Sequence, residues 1–188
     1  HVNHVAKIIG PKMYVLRKLK KTMPTHILKM FYMSCIQPHI DYALTVWGNL
    51  PKYLMRKVQK IQNLAARIIT GNFDFENFHG IDIVKKLGWM NVDERYKYLI
   101  SCLMFRCMHG NAPQYLSDQI TLIRDINPYN SRSAHNLDVL IPKVEKKILE
   151  SAFFYQGPKI WNQLSTSLKQ SPSINSFKYR YKRSMLSS

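Results

Sequence analysis

The sequence predicts a mostly α-helical protein: a helical bundle followed by a small C-terminal α+β part made of a short hairpin and helices. Three observations predict it. Apolar residues recur at intervals of three and four along most of the chain, as one face of a helix requires. Proline and glycine stand at positions where helices start and stop. The only short run with strand character is Val139-Leu140-Ile141, ahead of Pro142. With 188 residues, 46% hydrophobic and 12% aromatic, the chain has ample material for a core, and disorder is excluded for most of it.

The elements follow in order. Residues 4–21 carry Val5, Ile8, Ile9, Val15, Leu16 and Leu19 among lysines and Arg17, and Gly10-Pro11 divides them into two short helical pieces. Met23-Pro24-Thr25 makes a turn with Thr25 as N-cap, after which Ile27, Leu28, Phe31, Tyr32 and Cys35 return at helical spacing. A further helical stretch follows Pro38 through Ile40, Ala43, Leu44 and Trp47 to Gly48. The clearest helix is 51–70, between Pro51 at its first position and Gly71 at its C-terminal cap. Its apolar stripe is Leu54, Val58, Ile61, Ala65 and Ile68, and its polar stripe is Lys52, Arg56, Lys60, Asn63 and Arg67.

Residues 73–79 read as a loop and Ile83 to Leu87 as a turn or two of helix. Asp93 opens a helix carrying Tyr96, Leu99, Ile100, Leu103, Met104 and Cys107, closed by Gly110. Residues 124–136 are polar and read as a loop, and the strand at 139–141 is expected to pair with 145–149. Ser151 to Leu164 is expected to be helical in spite of Gly157-Pro158, and Ile174, Phe177, Tyr181 and Met185 mark a final amphipathic helix.

Charge narrows the function. Lys and Arg number 28 against 11 Asp and Glu, a formal net charge of +17. Residues 1–70 carry +11, residues 71–150 are neutral, and residues 151–188 carry +6. Basic ends flanking a balanced middle favour a directed contact with a polyanion over a uniformly basic surface. Lys52, Arg56, Lys60 and Arg67 could follow a phosphate backbone, because helical turns advance by about 5.4 Å. A solvated helix face is the alternative, disfavoured because no acid interleaves the cations. Near the C-terminus Phe177-Lys178-Tyr179-Arg180-Tyr181-Lys182-Arg183 alternates cations with rings that stack on bases. A membrane-surface helix or a frayed tail remains open for that segment.

Catalytic chemistry has no visible home. Nucleotidyl transfer needs carboxylates converging on magnesium, and the close pairs are Asp74 with Glu76 and Asp93 with Glu94, the first in a loop and the second at a helix start. Cys102, Cys107 and His109 lack the spacing of a zinc knuckle and read as core cysteines. No phosphate-binding glycine loop and no nucleophile with a base partner is present. The three cysteines match no disulfide framework, which points to a reducing compartment. No apolar run approaches the roughly 20 residues of a membrane span, and His-Val-Asn-His-Val lacks the core of a signal peptide. An intracellular protein, nuclear or cytoplasmic and not secreted, with no membrane partner, is expected. The chain opens on His1, so it is also expected to be a piece of something longer.

Ser34-Cys-Ile-Gln-Pro-His-Ile-Asp-Tyr-Ala-Leu-Thr-Val-Trp-Gly48 resembles the segment following the polymerase core in non-LTR retrotransposon reverse transcriptases of the Jockey and chicken-repeat type. The resemblance runs along most of the chain. It takes in His4-Val5 with Lys7, Gln59 to Ile69, Leu87-Gly88-Trp89-Met90 with Arg95, and His109-Gly-Asn-Ala-Pro113. It continues through Ser131-Arg-Ser133, Ala152-Phe-Phe154 before Trp161-Asn162, and Ser176-Phe-Lys178. Leu164-Ser165 departs from the family's Leu-Pro. The resemblance implies a thumb and C-terminal region that grips RNA template and DNA primer beside an upstream palm. It also implies that the catalytic aspartates and their magnesium belong to that palm, so this chain alone should be inactive and hold no cofactor.

The expected organisation is then a thumb-like basic bundle over 1–72, a helical continuation over 73–123, and a C-terminal region over 124–188 with loop, short strands and basic helix. Nucleic-acid contacts are expected from Lys18, Lys21, Lys52, Arg56, Lys60 and Arg67, and from Lys178, Arg180 and Lys182, with Trp47, Trp89 and Trp161 in the core. The rival expectation is a non-catalytic protein-interaction module or structural relic of a mobile element, its charge meeting an acidic protein surface.

Overall fold

Helix α1 spans Val2–Leu19 and is continuous. Gly10 and Pro11 do not divide it, contrary to expectation. Both are exposed, so water can satisfy the carbonyl that Pro11 leaves without a donor, and the apolar row Val2, Val5, Ile9, Met13, Leu16 runs unbroken on the opposite face. The computed structural model describes residues 2–42, 44–126 and 136–186, with the side chains of these apart from Trp47, Lys147 and Leu186. The chain is mostly helical and divides into two compact units, 1–95 and 96–188. The division falls inside a helix, where composition carries no mark.

In the first unit α2 (Thr25–Phe31) passes through a π-helical segment, Tyr32–Ile36, into α3 (Gln37–Asp41). Residues Leu28, Tyr32, Ile36 and Ile40 are all fully buried. A repeat of four drifts around an ordinary α-helix, and the wider π turn returns the row to one face just before Pro38, which has no N–H to offer the preceding turn. The short α4 (Leu44–Trp47) precedes α5 (Lys52–Thr70), which ends on left-handed Gly71 with φ 75°. Helix α5 packs on α1, on α2 and on α6 (Gly80–Lys86). Ile9, Leu16, Leu28 and Ile69 are at most 1% exposed. Each such burial contributes about 1.5–3 kcal/mol.

Residues quoted for the family resemblance hold this unit together. The Tyr32 hydroxyl donates to Gln37 Oε1 at 2.7 Å, and Gln37 Nε2 donates to Asp41 Oδ1 at 2.7 Å. Arg95 grips the Asp41 carboxylate with both Nε (3.0 Å) and Nη2 (2.6 Å). Burial raises the Tyr32 phenol well above its ordinary value, so it stays a donor. Trp89 stacks on Tyr32 with centroids 4.1 Å apart. Gln59 Oε1 accepts from the Val92 amide at 2.8 Å, and buried Gln62 donates to the Met90 carbonyl at 3.0 Å.

Helix α7 (Val92–Met108) straddles the two units and starts with a capping box. Asn91 Oδ1 accepts from the Glu94 amide and Glu94 Oε2 from the Asn91 amide, both at 2.9 Å. The second unit continues through α8 (Gln114–Ser117), α9 (Ile123–Ile126), a 3-10 turn (Lys147–Ser151), α10 (Phe153–Asn162), α11 (Thr166–Lys169) and α12 (Ile174–Leu186). Phe177 anchors its core, 4.8 Å from Phe105 and 6.1 Å from Trp161 between ring centroids. Helix α10 runs through Gly157-Pro158, and a Cβ at Gly157 would lie 2.7 Å from the Met104 sulfur, so that Met104 would have to shift.

The expected hairpin is not formed. Val139 forms an isolated antiparallel bridge with Leu122, and residues 147–151 coil into the 3-10 turn, so among the described residues there is no strand. Backbone bonds from Ile123 N to Asp138 O (3.0 Å) and from Leu140 N to Thr121 O (2.8 Å) flank the bridge, and side chains serve the other edge: the Asn162 side chain accepts from Val139 N at 2.9 Å and donates to Val139 O at 2.8 Å, while Trp161 Nε1 donates to Leu137 O at 3.0 Å. Of the loop expected over 124–136, residues 127–135 lie outside the described residues, Ser131-Arg132-Ser133 among them, and residues 124–126 belong to α9. The expectation for Trp47 falls on a side chain outside the description, whereas Trp89 and Trp161 are buried.

Candidate nucleic-acid interface

Helix α5 contains no Asp or Glu. Four-residue spacing sets Lys52, Arg56 and Lys60 on one solvent face over about 12 Å, and all three are exposed. Lys57, which the sequence reading passed over, is exposed beside them. Among the described residues no carboxylate pairs with any of the four.

Arg67 leaves this ridge. It is 5% exposed, and its guanidinium turns inward to donate to three carbonyls: Asn72 (3.3 Å) and Asp74 (2.9 Å) from Nη1, and Phe78 (2.6 Å) from Nη2. Its plane also lies 4.2 Å from the Phe75 ring centroid. Arg67 is thus the frame of the 71–79 loop and is withdrawn from the residues that meet a phosphate.

Lys18 and Lys21 are exposed at the end of α1. Between them Lys20 reaches the last turn of α5, donating from Nζ to Ile69 O at 2.8 Å, where a cation complements the helix dipole. Arg17 and Lys20 therefore lie near Gly71 and Phe73, at the opposite end of α5 from Lys52. In the second unit Lys178, Arg180 and Lys182 share α12. Lys178 is half-buried, Arg180 Nη1 donates to Ser167 O at 3.2 Å, and Lys182 Nζ lies 5.7 Å from the Tyr98 ring centroid. Each unit thus carries its own basic helix.

A cleft of about 410 Å³ opens beside Lys60, bordered by Arg67, Phe75, Phe78 and His79. Sequence reasoning treated 73–79 as a plain connection. The signal that could have found the cleft is the presence of Phe73, Phe75 and Phe78 in a short polar loop.

In each acidic pair one carboxylate serves local structure. Asp74 is occupied by its own turn, its carboxylate accepting from the Glu76 amide (3.1 Å), the Asn77 amide (3.0 Å) and the Asn77 side chain (2.8 Å). The Asn77 amide and then its side chain hold the Asp74 carboxyl below its ordinary value. Glu94 serves the α7 cap. His109 Nδ1 lies 2.8 Å from Phe105 O and its ring stacks on Phe105, while Cys102 and Cys107 are buried, with burial raising the Cys107 thiol. Among the described residues no three acidic, histidine or cysteine side chains group to hold a metal ion. No helix of the described residues is long and apolar enough to cross a membrane.

Comparison with family models, with curated proteins and with solved structures gives no match to this chain.

Proposed function

We propose that this chain is a non-catalytic, nucleic-acid-gripping module, the thumb and following region of a retrotransposon reverse transcriptase that holds RNA template and DNA primer beside a palm encoded elsewhere in the same polypeptide. The observation that carries the gripping role is the exposed, acid-free row Lys52, Arg56 and Lys60 on α5. Like charges at four-residue spacing repel one another by a few tenths of a kcal/mol per pair, and a phosphate backbone relieves that repulsion while releasing counterions. The assignment to that family rests on the order of motifs along the sequence. Its support from packing is that Gln37, Asp41, Gln59, Gln62, Trp89 and Arg95, all within those motifs, are joined into one framework through Tyr32.

The test is duplex binding against salt. With Lys18, Lys21, Lys52, Arg56 and Lys60 neutralising about five phosphates, log affinity should fall against log salt with a slope of roughly −3.5 to −4.5. The double variant Arg56→Glu, Lys60→Glu should keep its helical circular dichroism and lose most low-salt binding to an RNA–DNA duplex. Salt-independent binding, or indifference to the double reversal, would turn the reading toward a protein-interaction module instead.

A further inference from the structure

The loop joining α5 to α6 displays rings where burial would be the ordinary outcome. Phe73 is 51% exposed and Phe75 68% exposed. Yet the loop is firmly built: Arg67 holds the carbonyls of Asn72, Asp74 and Phe78 from below, and the Asp74 carboxylate collects the amides of Glu76 and Asn77. The rings are therefore held outward by a polar frame. Cations accompany two of them, with the Arg67 guanidinium 4.2 Å from the Phe75 centroid and Lys86 Nζ 4.4 Å from that of Phe78. Phe75 and Phe78 border the 410 Å³ cleft whose rim carries Lys60, the last cation of the exposed ridge. A second cleft of about 280 Å³ is bordered by Phe73 with Arg17 and Lys20.

Exposed aromatic faces interleaved with cations suit one ligand chemistry well. A flat, π-faced group attached to an anion gains stacking from the ring and Coulombic attraction from the lysine, and an unpaired nucleotide in a strand is such a group. A base still paired in a duplex keeps its faces covered by its neighbours and cannot enter. An acidic peptide would satisfy Lys60 and leave the rings without a partner.

We propose that the 71–79 loop is a stacking platform for unpaired nucleobases, which takes a base of single-stranded nucleic acid in the cleft of Phe75 and Phe78 with its phosphate against Lys60. This rests on the nucleic-acid reading above and adds to it a preference for single-stranded segments next to the duplex-gripping ridge.

The experiment uses the whole chain with two probes, a blunt duplex and a short oligothymidylate carrying one 2-aminopurine. Stacking of that base on Phe75 should quench its fluorescence. Phe75→Ala and Phe75→Leu should abolish the quench and weaken single-strand binding by about 5- to 100-fold. Duplex affinity should stay within about twofold, and Phe75→Trp should restore both quench and affinity because it keeps the π face. The leucine variant keeps apolar volume in the loop, so its loss of quench reports the ring and not a collapsed fold. Retained quench and affinity in Phe75→Leu overturn the platform while leaving the ridge standing, and an equal loss on both probes overturns the preference of the loop for unpaired bases. If the unaltered chain binds neither probe, the ridge and the platform fall together.

Discussion

Arg67 illustrates how a residue of the right type at the right period can serve a different end. Its spacing from Asn63 placed it in the polar stripe of α5, but it stands in the last turn, where the chain doubles back and offers three carbonyls. Charge-assisted hydrogen bonds to a buried guanidinium are each worth about 1.5–3 kcal/mol and are not additive. Arg67→Met should therefore destabilise the fold by about 3 kcal/mol, measured by denaturant unfolding, while the salt slope of duplex binding stays unchanged. A reduced slope in a folded Arg67→Met protein would return this residue to the phosphate contacts. Asp74 in the same loop has a pH signature. Its folded pKa lies below its ordinary 3.8, so its contribution is fully present above 3.8 and is lost as pH falls through the lower folded value. The Asn77 amide resonance should follow that carboxyl with a midpoint below 3.8, and a midpoint at or above 3.8 would mean that the turn is not closed in solution. Periodicity showed which residues were cationic and in which row. It did not show which of them the returning chain would cover, because the 71–79 loop is fixed by these non-periodic hydrogen bonds.

Helices with caps and an apolar row were legible, and those governed by tertiary contacts were not. Gly71 ends α5 where expected while Pro51, expected at its first position, stands one residue before it as N-cap, and the final helix and the Gly157-Pro158 helix both form where spacing indicates. Gly10-Pro11 suggested a break by local preference alone, and the buried row from Val2 to Leu16 overrode it. The expected hairpin fails for a related reason: residues 121–123 take one edge of the 138–140 segment and the Asn162 side chain, more than twenty residues along the chain, takes the other. Two glycines on helices should thus respond in opposite directions. A Cβ at Gly10 meets nothing within 4 Å, so Gly10→Ala should stabilise the fold by about 0.5–1 kcal/mol by reducing unfolded-state entropy. A Cβ at Gly80 would lie 2.5–2.7 Å from three atoms of the Asn63 side chain, Cβ included, at the packed contact of α5 and α6. Gly80→Ala should cost about 1–3 kcal/mol. Thermal unfolding of the two variants checks both signs.

The charge of +17 is the property most plainly written in the sequence and the one whose consequence reaches furthest. Its uneven distribution was also legible, with the exposed cations of α1 and α5 in the first compact unit and those of α12 in the second. What composition could not supply was the division of the chain at Arg95, since that depends on which contacts close and not on any local signal. A large excess of positive charge destabilises the folded state through self-repulsion, so a polyanion that binds only the folded chain should raise its stability by mass action. At a duplex concentration of 100 times Kd the gain is about 2.7 kcal/mol, on the order of 5–10 °C in Tm for a domain of this size. Added salt acts on the two components in opposite ways, screening repulsion in the free chain while weakening the complex. The Tm of free protein should therefore rise modestly between low salt and about 0.5 M as the shift caused by duplex disappears, and Arg56→Glu, Lys60→Glu, which leaves the chain strongly basic, should keep most of that rise while losing most of the duplex shift. A duplex-induced shift that survives high salt would mean that the bound state is held by contacts other than this ridge.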